Sequence, residues 1–318
     1  MKKVSDIRTV VKCCSLYYEE NLNQKEIAQQ LGISRPTVSR ILKDAQKQGI
    51  IKIEIINPLE TDYCELERKI EKAFKLKEVI ITDNKNDEIA QKQELAKHTA
   101  KYLERVIKDG DIIGVTFGST IKEIPKYTYE QNINATFIPL IGGVGQLDIE
   151  EHSNQIVVNL AKKYGSDCKL LHTPAVVSDI ETKQKIIQDE KTKEVINMID
   201  RINIAIVGIG NPMSIDDTIA QSGYMDKNEI KEFRKYKLKG AICMQAFDNE
   251  GKTYDLKFNK KVIGIEIEKL KQVNRTIGVA CGKEKIEAIE ASLNCGFINT
   301  LVTNYETANE LINRYYIK

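Results

Sequence analysis

Residues Asn23–Gly49, NQKEIAQQLGISRPTVSRILKDAQKQG, spell out two short helices and the turn between them. Asn23 is placed to cap the first helix, whose Ile27 and Leu31 lie four apart on one face. The small Ala28 beside them lets a second helix approach closely. Gly32 closes the helix, because glycine adopts the left-handed backbone without a Cβ clash. Ser34 supplies the next capping hydroxyl, and Pro36 fits only in a first turn, where its missing N–H costs nothing. Val38, Ile41 and Leu42 then share the inner side of the second helix, which leaves Arg35, Thr37, Ser39, Arg40 and Lys43 facing outward. That outward set matches the donors needed for phosphates and base edges. An ordinary helical hairpin with a solvated polar face would show the same periodicity. The joint spacing of Ala28, Gly32 and Val38 favours a helix-turn-helix, with operator DNA as the partner.

The flanks extend the reading. DIRTVVKCCSLYYEE (6–20) is expected to be a supporting first helix, with Ile7, Val10, Val11, Cys14, Leu16, Tyr17 and Tyr18 as apolar surface. IIKIEII (50–56) alternates apolar and charged residues after a turn glycine, as a strand or small wing would. A winged DNA-binding domain is therefore expected over 1–57, joined to a larger domain over 58–318.

At 318 residues the chain is long enough for about two domains. Its 42% hydrophobic and 30% charged residues are those of a globular protein, and no apolar run approaches the ~20 residues of a membrane span. The start, MKKVSDIRTVVKCC, has no sustained apolar core, so no signal peptide, no membrane partner and a cytoplasmic location are expected. Seven cysteines are scattered without a CxxC pair, which reads as reduced and structural, although Cys13–Cys14 allows a redox switch. The three histidines, His98, His152 and His172, stand alone, so neither a metal site nor a cofactor is expected. Residues 1–56 hold ten Lys/Arg against six Asp/Glu, net +4, while the remainder holds 38 against 40, net −2. A modestly basic head on a nearly neutral body fits paired heads on DNA better than non-specific coating of nucleic acid.

After Pro58, LETDYCELERKIEKAFKLKE carries Leu59, Tyr63, Leu66, Ile70 and Phe74 at helical spacing, a stripe that faces either its own domain or a partner subunit. Beyond it, strands are expected at 78–82, 111–118, 136–143, 169–176, 203–210, 261–267, 276–281 and 299–304, with helices in 88–110, 152–165, 193–202 and 283–296. The alternation predicts an α/β domain with a mostly parallel sheet covered on both faces.

Three expected strands end in glycine-rich turns: GVTFGST (114–120), PLIGGVG (139–145) and IVGIGNP (206–212). Ligands bind at such strand ends in open α/β sheets. Gly118, Ser119 and Thr120 opening a helix make a candidate phosphate cradle, in which free amides, two hydroxyls and a helix dipole converge. Each turn is also what an αβ loop needs for steric reasons alone. None matches a Walker A loop or a dinucleotide fingerprint.

In combination these blocks resemble the SorC family of bacterial sugar-responsive transcriptional regulators, the DeoR/SorC type. The resemblance runs along nearly the whole chain. It is carried by LYYEENLNQKEIAQQLGISRPTVSRIL, DGDIIGVTFGST, FIPLIGGVG, GIG, GAICMQAFDNEG and VACGKEKIEAIEASLNCGFINTLVTNYETA. It implies a sugar-isomerase-like α/β effector domain that binds a phosphorylated sugar and assembles as a homodimer or homotetramer. By position it makes Gly118, Ser119 and Thr120 the phosphate-gripping turn, Gly142 and Gly143 the sheet-end pair, Asp248 the aspartate of the family's FFD block, and Lys285 the lysine at a helix start. Asp248 is followed by NEG and reads equally well as a turn initiator, and Lys285 as a solvated helix lysine. The chain departs from the family at Ala241, Gln245 and Ala246, where an acid, an arginine and a phenylalanine are common, and at Ile141, where some members carry a base. The particular sugar is therefore not inferable from relatives.

The expected function is a DNA-binding regulator, a repressor of a carbohydrate or nucleoside operon, gated by a sugar phosphate. A rival is an enzyme acting on a sugar phosphate, with Asp216, Asp217, Asp248 and His172 as candidate acids or bases, though none sits in a catalytic motif. A DNA architectural protein without a ligand would leave the glycine turns unexplained.

Overall fold

The computed structural model describes residues 6–53, 63–145, 147–213, 224–254 and 256–317. The chain divides into two compact units, Met1–Asp62 and Tyr63–Lys318.

The first unit is built from α1 (Ile7–Tyr18), α2 (Gln24–Leu31) and α3 (Arg35–Lys47). Asn23 caps α2 by accepting from the N–H groups of Lys25 and Glu26, and Glu26 returns a bond to the Asn23 amide, which completes a capping box. Gly32 sits at φ 66° and ψ 31°, the left-handed cap expected of it. Ser34 caps α3 from the Thr37 N–H, with Pro36 in the first turn. Cys13, Cys14, Leu16, Ile27, Ala28, Val38, Ile41, Leu42 and Ala45 form the core. In α1 the expected apolar surface divides: Ile7, Val11 and Tyr18 are exposed, because the core takes the opposite face. The expected wing is not laddered over residues 50–53, of which 50 and 51 form a bend, and residues 54–56 lie outside the described residues.

In the second unit, strands β1 (Glu78–Thr82), β2 (Ile112–Val115), β3 (Thr136–Pro139), β4 (Asp167–Cys168), β5 (Ile204–Gly208), β8 (Arg275–Val279) and β9 (Thr300–Asn304) form one sheet in the order β1-β9-β8-β5-β2-β3-β4. Every pairing in it is parallel. A separate antiparallel hairpin joins β6 (Gly240–Ile242) to β7 (Gln245–Phe247).

Two cores sandwich the sheet. On one face pack α5 (Glu88–Val106), α6 (Ile124–Tyr127) and α7 (Ser153–Tyr164), through residues such as Leu95, Leu103, Ile124 and Leu160. The other face is covered by α4 (Cys64–Phe74), α9 (Glu190–Ile199, following α8 at Ile180–Gln188) and the helices Ile286–Asn294 and Tyr305–Ile317. Ile70 and Phe74 are buried there with Tyr63 and Leu66 packed alongside, so the stripe of α4 faces its own domain; Leu59 lies outside the described residues. The same helix finishes the sheet edge. Glu71 accepts the Val79 N–H at 3.0 Å and Glu67 the Ile81 N–H at 2.9 Å, so carboxylates satisfy outward amides of edge strand β1.

Two expected strands are not strands. Residues 169–176 and 261–267 touch neighbours only through single bridges, Gly143 with Pro174, Val176 with Val262, and Ile141 with Gly264. They are apolar because Leu171, Ile263 and Ile265 join the core on the α4 side of the sheet while Ala175, Val176 and Val262 pack into a further cluster with Phe233 and Phe258, and Pro174 has no N–H to carry a ladder. Short apolar runs do not distinguish these outcomes.

Candidate functional site

On the first unit, Arg35, Arg40 and Lys43 are exposed along α3, with Thr37 and Ser39 half-buried. The Thr37 hydroxyl lies 2.8 Å from that of Ser34, which ties it to the helix cap. Three cations on the outer face of a second helix, preceded by a tight glycine turn, form a surface suited to a duplex groove.

On the second unit, the sheet has its switch point between β2 and β5, because the chain runs outward from β2 through β3 and β4 and then returns to β5 on the other side. A cavity of about 740 Å³ opens there, walled by segments that follow β1, β2, β5 and β8 and by Asn304 at the end of β9. The Thr116 hydroxyl accepts the Gly208 N–H at 3.2 Å and so ties the end of β2 to the end of β5. Gly118, at φ 140°, makes the turn that no side chain follows comfortably. Its amide donates to the Glu151 carbonyl and its own carbonyl accepts from Lys122. Ser119 and Thr120 line the cavity, and among the described residues neither hydroxyl has a hydrogen-bond partner. The helix that was expected to follow is a single 3-10 turn, Ile121–Glu123, running into the four-residue α6, so little helix dipole acts there. The hydroxyls and amides remain.

Lys285 reaches the cavity from the 3-10 turn Lys283–Lys285 that follows β8. No carboxylate lies within ion-pair distance of it among the described residues. Lys85 and Lys92 enter from the end of β1 and the first turns of α5, paired with Glu94 at 3.7 Å and Glu88 at 2.5 Å. The Lys92 hydrogen bond, with its charge, holds the Glu88 carboxyl below the usual range. Gln91 fixes this wall: its carbonyl oxygen accepts from the Lys85 amide and from Asn304 Nδ2, and its own amide donates to the Asp83 carbonyl. Asn211 donates to the Glu284 carbonyl at 2.9 Å and joins the loops after β5 and β8. Cys281 is part of the wall, and burial pushes its thiol up to about 11, so it stays protonated near neutral pH.

Gly118, Ser119, Thr120 and Lys285 are thus brought together, whereas Gly142, Gly143 and Asp248 are not among the residues lining this cavity. The Gly142 amide is bonded to the Ile263 carbonyl and that of Gly143 to the Thr173 carbonyl. A Cβ on Gly142 would sit 2.5 Å from the Pro174 oxygen, so that glycine serves a backbone crossing. Asp248 organises the turn after β7, accepting from the Glu250 N–H, the Lys252 N–H and the Tyr254 hydroxyl. Burial alone would raise its carboxyl, but these hydrogen bonds outweigh burial and hold it below the ordinary carboxylate range. Of the other candidate acids and bases, His172 is exposed and outside the cavity lining, and Asp216 and Asp217 lie outside the described residues. The third glycine turn expected from the sequence, 206–212, also lines the cavity through Gly208–Asn211, whereas sequence reasoning missed Lys85, Lys92, Gln91, Asn304 and the hairpin tip Cys243–Met244 as wall residues. Only Lys85 carried a usable signal, its place just past a predicted strand end.

No group of three or more metal-ligating side chains occurs among the described residues, and no helix among them is long and apolar enough to cross a membrane. Cys13, Cys14 and Cys243 are buried free thiols, and burial raises the pKa of each.

Residues 60–313 match the family model described as "Putative sugar-binding domain", and residues 12–48 match that of sigma-70 region 4. The chain is 32% identical to the sorbitol operon regulator of Klebsiella pneumoniae over 98% of its own length and 100% of that protein's. It is 28% identical to the deoxyribonucleoside regulator of Bacillus subtilis strain 168, over 95% of this chain and 96% of that one. The crystal structure of the full-length sorbitol operon regulator SorC from Klebsiella pneumoniae superposes with a TM-score of 0.75, covering 96% of this chain and 99% of that one. A DeoR family transcriptional regulator from Listeria monocytogenes, 31% identical, superposes at 0.71 over 78% of this chain and 98% of that one.

Proposed function

The chain belongs to the SorC family of transcriptional regulators, and from that premise we propose that it represses a carbohydrate or nucleoside operon in the cytoplasm under the control of a sugar phosphate. In this reading residues 1–57 bind operator DNA through Arg35, Thr37, Ser39, Arg40 and Lys43. Residues 58–318 bind the effector and pair the chain as a dimer or tetramer, so that two small readers engage one operator with the gain of effective concentration. The relatives are regulators, and the chain is accordingly one rather than an enzyme.

The observation that carries the effector reading is the convergence, in a cavity at the sheet's switch point, of the Ser119 and Thr120 hydroxyls and Lys285, none of them partnered among the described residues. A phosphate monoester needs several donors and a cation, and among the described residues each is available without breaking an existing bond. A ligand there touches the loops after β1, β2, β5 and β8, so a state in which those loops sit differently would bind it differently, which is the requirement for a switch.

The test is a thermal-shift screen of triose, pentose and hexose phosphates beside the same sugars without phosphate, repeated on Thr120→Val. Stabilisation by at least one phosphorylated member alone, weakened about 10- to 100-fold in the variant, supports the reading, because a hydrogen bond to a charged group contributes about 1.5–3 kcal/mol. Equal stabilisation by phosphorylated and plain sugars contradicts it.

A further inference from the structure

Five residues of the second unit close a ring of contacts that begins and ends at the cavity. Gln91, in the first turn of α5, and Asn304, at the end of β9, both line the cavity, and Asn304 Nδ2 donates to Gln91 Oε1 at 3.2 Å. The Gln91 amide donates in turn to the Asp83 carbonyl at 3.2 Å, and the Asp83 carboxylate accepts the Tyr63 hydroxyl at 2.8 Å. The Tyr63 ring stacks on that of Tyr305, with centroids 5.3 Å apart and planes inclined by 28°. Tyr305 directly follows Asn304 in the chain, which completes the ring.

The ring joins the cavity to one particular place. Tyr63 is the first residue of the second unit, so the chain running on from the first unit enters through it. Tyr63 also opens α4, its carbonyl accepting the Glu67 N–H at 2.8 Å. On the cavity side there is little slack. Gln91 and Asn304 are buried, Gln91 Oε1 also accepts the Lys85 N–H at 2.8 Å, and Asn304 Oδ1 accepts the Thr307 N–H at 3.2 Å. The wall itself begins at Lys85, two residues beyond Asp83, so a shift of that wall has to be taken up along the ring. The Tyr63–Asp83 bond is suited to give, because it joins two half-buried side chains rather than two backbones. Burial and the Asp83 carboxylate push the Tyr63 hydroxyl up to about 12, so it stays a donor around neutral pH.

We propose that the Tyr63–Asp83 hydrogen bond is the coupling link of the switch: intact in one state of the regulator and broken in the other, it carries occupancy of the cavity to the residue at which the chain enters the ligand-binding unit. This link rests on the reading of the protein as a ligand-gated regulator. A bond that differs between two states adds to their free-energy difference, and a hydroxyl bonded to a carboxylate is among the stronger kinds. Neither Tyr63 nor Asp83 lines the cavity, so changing them leaves the ligand's own donors in place.

The test measures operator affinity of the full-length protein at fixed salt, with and without a saturating amount of whichever triose, pentose or hexose phosphate gives the wild type its largest thermal shift; calorimetry gives the affinity for that compound without DNA. Tyr63→Phe, which keeps the ring and removes the hydroxyl, is expected to bind the sugar phosphate within about threefold of wild type, while the ligand-induced change in operator affinity shrinks at least threefold. Asp83→Ala is expected to do the same, and Asp83→Asn, which retains an acceptor oxygen, to keep most of the wild-type change. Tyr129→Phe, at an exposed tyrosine outside the ring, is expected to behave as wild type. A wild-type response in both Tyr63→Phe and Asp83→Ala overturns the proposal, as does an equal loss of response in Tyr129→Phe. A larger loss of sugar-phosphate affinity in Tyr63→Phe overturns it too, because Tyr63 would then serve binding rather than coupling. No ligand-induced change in the wild type instead overturns the gated-regulator reading.

Discussion

Arg35 and Arg40 are both exposed on α3, while the inner face supplies Val38, Ile41 and Leu42 to the core, so either arginine can be removed without opening that core. Alanine at a base-reading arginine is expected to cost about 1–3 kcal/mol in operator affinity and to relax preference at one base pair; at a phosphate contact it should weaken all sequences alike and lower the salt slope by about one. Unchanged affinity and salt dependence in both variants would show that α3 is not the reading helix. Asp248 shows the opposite kind of residue, one whose charge serves the fold. Its folded carboxyl titrates below the ordinary range, so its charge stabilises at every pH above that range and the contribution is lost as acid protonates it. Asp248→Asn is expected to lose about 1–3 kcal/mol at pH 7, and the gap from wild type to narrow below about pH 4 in urea melts. A gap that stays constant across that range would mean that the three donors around Asp248 do not recognise its charge.

At the scale of elements, α4 does two things for β1: its apolar stripe covers the sheet, and Glu67 and Glu71 receive edge amides. Replacing either glutamate by alanine is expected to cost about 1–2 kcal/mol and to speed hydrogen exchange at Ile81 or Val79 respectively, while Glu65→Ala, on an exposed i,i+4 pair with Lys69, should change neither. Equal exchange rates in all three would show the edge amides to be solvated. The elements also show where sequence can be read and where it cannot. Asn23, Gly32, Ser34 and Pro36 act on their immediate neighbours, so the helix-turn-helix is legible from local spacing. Strands β1, β5, β8 and β9 are legible because long apolar runs end at Gly, Asn or Asp. Residues 169–176 and 261–267 have the same composition and are not strands, because the partner that decides the matter is remote in sequence. The cavity was half legible for the same reason. The turns at Gly118–Thr120 and Gly208–Asn211 announce themselves, whereas Gln91, Asn304 and Met244 are ordinary residues that the topology carries to one place. Gly142 looked like a ligand turn because close backbone crossings and ligand approach select the same residue.

In the whole molecule, a regulator gated by a ligand needs its DNA-reading unit and its ligand-binding unit to share free energy. A ligand shifts DNA affinity only through its differential binding to the states that hold DNA well and poorly, and a coupling of about 1–3 kcal/mol corresponds to a change of roughly 5- to 150-fold. Assembly is part of the same claim: sedimentation at micromolar concentration is expected to show a dimer or larger species, and a monomer that binds operator unaided would remove the basis for paired reading. The most direct measurement is operator affinity by fluorescence anisotropy at one fixed salt concentration, without ligand and with saturating amounts of the sugar phosphate that gives the largest thermal shift. The account predicts a change of about fivefold or more in the wild type, and none in Thr120→Val at a concentration that saturates only the wild type. Unchanged operator affinity while the same sugar phosphate demonstrably occupies the wild-type protein would contradict it.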